Sequence, residues 1–181
     1  MKIIRAALIL GLALSAVSVF AGPRQKFVAD EQGAVNVPVF PPLGTPPMAM
    51  FYEPDWQGTV SQPSGLSQLT YTWTAFGEFT VADPDLSKTP WTIHVTGLRF
   101  TMTFYNGKTQ DAQHLVGTIE GTFKTVGTLN PSDFTIHTTG TYAFTSGTGI
   151  FAHVRGAGTV GAVNSNNPGP FDCPMEGWIE Y

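Results

Sequence analysis

Cysteine is all but missing: Cys173 stands alone, so no disulfide can form within the chain. Small exported domains often rely on such cross-links, and here burial and hydrogen bonding must suffice. Between Asp172 and Pro174, Cys173 reads as a half-buried loop thiol; a nucleophile or an intermolecular bridge is the sharper alternative. Charge is scarce too, at 12% of residues. With Lys2 and Arg5 set aside, seven basic residues face thirteen acidic ones. Such a surface repels nucleic acid, which needs Lys and Arg against its phosphates, and offers anionic lipid no polybasic hold.

Chemical signatures are missing as well. There is no Gly-x-Ser-x-Gly elbow and no Asn-x-Ser/Thr sequon with an allowed middle residue. His94, His114, His137 and His153 lack metal-ligand spacing. Asp83 and Asp85 flank Pro84 as a solvated turn, and Glu120 lies mid-strand between Thr118 and Thr122 on an outward face. The expectation is no metal, no cofactor and no nucleic-acid partner, with no residue qualifying as catalytic.

What is present begins with a processing segment. Met1, Lys2 and Arg5 precede the apolar run Ala6–Leu14, which is too short to span a bilayer. Val19-Phe20-Ala21 matches a signal-peptidase site. Cleavage after Ala21 predicts a secreted or periplasmic protein with no further membrane contact.

Residues 22–67 carry eight of the fourteen prolines. Proline removes a ladder donor and fixes φ, so this stretch is expected to lie outside central strands. It also holds Val37, Met48, Met50, Phe51, Tyr52 and Trp56, too apolar for a disordered tail. An extended arm docked on the barrel or on a second copy of the chain is the expectation, making a homo-oligomer a candidate assembly.

From residue 68 to 181 the pattern has period two. In Leu69–Val81 the odd positions carry Leu, Tyr, Trp, Ala, Phe and Val, and the even ones mostly Thr. The alternation recurs over 115–124, 134–144 and 175–181, and changes phase at Gly97, which predicts a bulge. Turn residues separate the runs at 83–85, 106–108, 130–132 and 146–149. Strands with one apolar face must bury it, and closure also removes exposed edges. The fold class predicted is all-β, a single antiparallel β-barrel of about eight strands, with a two-sheet sandwich as the alternative.

The segment Thr145-Ser146-Gly147-Thr148-Gly149-Ile150-Phe151, followed by Gly156 and Gly158, resembles the hairpin of the allene oxide cyclase and dirigent barrel superfamily. His114–Phe123 and Phe134–Thr145 resemble the strands leading into it. The resemblance covers about residues 114–160 and rests on Gly, Thr and one Phe. It implies a barrel whose cavity receives a lipophilic or aromatic small molecule, for cyclisation or for guided radical coupling. The early strand offers Glu78, but no motif aligns it with the carboxylate of the cyclase branch. Without the family, Gly147 and Gly149 still suit a tight turn and Phe151 a barrel plug. The Gly run is not a phosphate loop, since a strand rather than a helix follows it.

Candidate cavity residues are Tyr71, Trp73, Phe79, Ile119, Phe123, Tyr142 and Phe144. Arg99 joins them if the bulge turns it inward to meet a ligand carboxylate, and otherwise snorkels outward. Three functions compete: a barrel binding a small lipophilic ligand, a cofactor-free cyclase, and a structural protein with a solid interior.

Overall fold

The computed structural model describes residues 22–35, 48–83, 85, 87–132, 135–165 and 169–181, so the signal segment lies outside the described residues. Eight strands follow one another: β1 (Gln25–Val35), β2 (Met48–Gln62), β3 (Leu69–Val81), β4 (Trp91–Asn106), β5 (Leu115–Leu129), β6 (Ile136–Gly147), β7 (Arg155–Ser165) and β8 (Gly169–Glu180). Each pairs antiparallel with the next, and β1 pairs with β8 to close the barrel. A short 3-10 turn, Gly149–Phe151, sits between β6 and β7.

The barrel therefore begins at residue 25, and no boundary falls at residue 68. The expected arm is corrected: its described portions supply β1 and β2. Its prolines avoid the ladder rather than forbid it. Pro54 lies inside the register shift between Glu53 and Trp56, and Pro63 opens the turn after β2, where its carbonyl accepts from the Leu66 N–H at 2.9 Å. Residues 36–47, which carry five of the prolines, lie outside the described residues.

Strands β3 to β6 follow the alternation read from the sequence. Tyr71, Trp73, Ile119, Phe123, Tyr142 and Phe144 are buried inside, while Glu78, Glu120, Lys124 and Thr141 are exposed outside. The phase change is a bulge: both ladders of β4 lose register between Val95 and Leu98 or opposite that step. It keeps Ile93 and Val95 inside on one side of Gly97, and Leu98, Phe100, Met102 and Phe104 inside on the other.

Large rings fit because glycines stand beside them. The ladder pairs Phe27 with Gly177, Tyr71 with Gly58, Phe100 with Gly121, Phe104 with Gly117, Tyr142 with Gly158 and Phe144 with Gly156. A Cβ on Gly58 would collide with the Tyr71 ring, and one on Gly121 with Phe100. The rings of Tyr71, Phe100, Tyr142 and Phe144 lie over backbone left bare by Gly58, Gly121, Gly158 and Gly156, the aromatic–glycine pairing that lets sheets curve.

One barrel end is stoppered. Phe151 is fully buried, with its ring 4.7 Å from that of Phe104 and 5.5 Å from that of Tyr181. Gly149 enables this turn with φ +61°, a conformation other residues rarely adopt. Leu66, from the turn after β2, is buried as well.

Replacing Phe123 with Ala should destabilise the protein by about 3–5 kcal/mol. Denaturant unfolding measures this, and a loss near zero would mean the ring bears no packing.

Candidate functional site

The interior gathers most of the predicted cavity residues, and they meet one another. Trp73 stacks on Phe100 with centroids 4.3 Å apart, Phe100 on Phe123 at 4.7 Å, and Trp73 lies 5.1 Å from Phe123. Tyr142 and Phe144 follow at 5.1 Å from each other, with Phe27 edge-on to Phe144 at 5.3 Å. Ile119 is fully buried and pairs with Met102 on β4. Phe79 stands opposite Val95 in the ladder, and its side chain is outside the described residues.

Arg99 is corrected. It is exposed on the outer face, opposite Phe76 and Thr122. The bulge at Gly97 sends Leu98 and Phe100 inward and so must send Arg99 out, where its guanidinium stays hydrated. Cys173 is corrected in the other direction: it is a buried residue of β8, not a loop thiol. The neighbouring Pro174 misled the reading. It faces the stretch where β7 and β8 lose register between Val160 and Asn164, so no ladder bond is lost there.

Not every inward residue is sealed. Phe27, Tyr71, Phe104 and Ile119 have no accessible surface, whereas Leu98 and Phe123 keep 5%, Thr138 6%, Phe144 7% and Thr125 8%. These five are spread along β4, β5 and β6. Leu98 pairs with Phe123, Thr125 with Gly140, and Thr138 with Gly127, so Thr125 and Thr138 are diagonal neighbours, each facing a glycine.

The Tyr142 phenol is the odd polar group. Its oxygen is buried without a hydrogen-bond partner, in the space a Gly177 side chain would take. Burial, with a smaller push from the Glu176 carboxylate, raises its pKa well above the usual 10.0. Among the described residues, no acidic or basic side chain is buried inside the barrel. Nor do three His, Cys, Asp or Glu residues gather as a metal site. β1 does bring Glu31 into ladder register with Gly58 and Cys173, a placement hidden while residues 22–67 were kept out of the barrel.

A second concavity lies outside, where the β4–β5 loop folds over the wall. A groove of about 480 Å3 opens there, with Asp30, Thr59 and Thr70 in its lining. Asp30 pairs with Thr59 and Thr59 with Thr70, so the three make one outer row across β1, β2 and β3. The loop is held in place. The Thr70 hydroxyl donates to the Gly107 carbonyl at 2.7 Å, and the Asn106 N–H to the His114 carbonyl at 2.8 Å. Asp111 Oδ1 accepts from the N–H groups of Gln113 and His114 and lies 2.7 Å from His114 Nδ1.

Comparison with known protein families, characterised proteins and solved structures finds no match for the chain.

Two predictions follow from these groups. Tyr142→Phe removes a buried hydroxyl that has no partner, and should raise stability by about 1 kcal/mol. A phenol with a raised folded pKa supports the fold below pH 10.0 and withdraws that support above it, once the unfolded phenol ionises. The variant should therefore lose stability less steeply than the wild type in alkaline titration; equal slopes would place the hydroxyl in contact with water. At the acid end, the His114 contact and the backbone N–H groups hold the Asp111 carboxyl below its usual 3.8. The loop clasp is then present above pH 3.8 and lost as pH falls through that lowered value. The acid-limb titration of the Gln113 and His114 amide resonances should have its midpoint below pH 3.8, and an acid-limb midpoint at or above 3.8 would refute the clasp.

Proposed function

We propose that the chain is a secreted, non-catalytic barrel that binds a small lipophilic or aromatic molecule inside. The observation that carries this is the pair Thr125 and Thr138, neighbouring inward residues that bear hydroxyls and keep 8% and 6% accessible surface beside a largely sealed aromatic core. Leu98 and Phe123 give the ligand an apolar neighbourhood, and the two threonines supply hydrogen-bonding groups that orient it. Export rests on the leading basic–apolar–small pattern and cleavage after Ala21. Membership of the allene oxide cyclase and dirigent superfamily rests on the Gly turn and the Phe151 plug. Cyclase activity draws less support, because among the described side chains the buried polar groups are hydroxyls and a thiol rather than an acid–base pair.

The mutual stacking of Trp73, Phe100 and Phe123 supports a second reading, a solid structural barrel. Titration with the uncharged fluorophore N-phenyl-1-naphthylamine separates the two. Binding readings predict fluorophore enhancement, loss of Trp73 emission by transfer, and abolition of both by Thr138→Phe with the melting temperature kept. An absence of enhancement, or enhancement that Thr138→Phe leaves intact, would favour the solid barrel.

A further inference from the structure

We infer that the outer groove under the β4–β5 loop is a binding site for a neutral, polyhydroxylated ligand, a saccharide of one or two rings. It is separate from the interior and independent of what the interior holds.

Six side chains make its chemistry: Asp30, Gln57, Thr59, Thr70, Lys108 and Gln110. Two are amides, two are hydroxyls, and the remaining pair carries opposite charges. A sugar hydroxyl both donates and accepts, as do amides and threonines, while Asp30 accepts and Lys108 donates. The charges cancel, which argues against a phosphate or other anion needing surplus cations. An apolar ligand would strip water from six polar groups and return no hydrogen bonds. The volume of about 480 Å3 falls within the ~300–1,000 Å3 span of small-molecule sites.

The site is built rather than incidental. Its floor is the paired row Asp30, Thr59 and Thr70, and one Asp30 carboxylate oxygen is buried in it. Next to the row, the β1–β2 ladder slips register between Val28 and Ala29, the kind of bulge that re-aims side chains beside functional sites. Its roof is the 107–114 loop, fixed by the Thr70–Gly107 bond and the Asp111 clasp before any ligand arrives. Gly58 and Tyr71 complete the lining, with the Tyr71 ring filling the space a Gly58 side chain would take.

The test is titration of the 15N-labelled protein with cellobiose, maltose and chitobiose. Expected are saturable shifts confined to the amides of Thr59, Thr70, Lys108 and Gln110, with at least one disaccharide. Gln110→Ala, in the exposed loop, should weaken that binding about five- to tenfold, the loss of one good hydrogen bond, and leave the melting temperature unchanged. Thr141→Val, exposed on β6 and away from the groove, should leave binding as it was. Addition of salt should not weaken it. The inference is overturned if no disaccharide shifts these amides, if glucose 6-phosphate binds more tightly than glucose, or if Gln110→Ala binds as well as the wild type.

Discussion

Closing eight strands around so many rings is a problem of volume, and the glycines on facing strands solve it. Four of the large inward rings lie where a glycine on the facing strand leaves room for them. They are Tyr71 over Gly58, Phe100 over Gly121, Tyr142 over Gly158 and Phe144 over Gly156. Once the rings lie flat, their faces are free to stack, and the stack in turn fixes which inward positions stay accessible. The Thr125–Thr138 patch is what remains after Trp73, Phe100 and Phe123 have spent their faces on each other.

Polar groups follow the same division. Among the described side chains, the outer face is threonine and charge, and the inside keeps hydroxyls, a thiol and one partnerless phenol. A partnerless hydroxyl costs stability, and its persistence in so ordered a core is the one local choice that packing alone does not favour. Function and packing are thus drawn apart at Tyr142 more than anywhere else inside.

Much of the barrel was legible in the sequence because period two survives where strands are regular. Leu69–Val81, Leu115–Leu129 and the phase change at Gly97 could be read directly, and the inward set Tyr71, Trp73, Ile119, Phe123, Tyr142 and Phe144 with them. Strands β1 and β2 were not legible. Pro54 and the slip beside Val28 break their alternation, so a pattern search sees loops where the ladder merely skips a rung. Cys173 was lost for the same reason, through Pro174. The direction of Arg99 depended on how many residues the bulge absorbs, which spacing alone leaves open. The groove was beyond reach, since it joins Asp30, Thr59, Thr70 and Gln110 from three strands and a loop.

The seam between β1 and β8 joins the two ends of the barrel sequence. Arg24 lies 3.9 Å from the centroid of the Trp178 ring and Lys26 bridges Glu176 at 2.8 Å, side by side along that seam. Every other pairing connects neighbours in the chain, whereas this one must close a loop of nearly the whole domain, so its entropy cost falls latest in assembly. Until it forms, β1 and β8 each present an unpaired edge to other chains. The cation–π contact and the ion pair lie on this last-closing seam, where they oppose its reopening and so limit how often the finished barrel offers an edge to a neighbour.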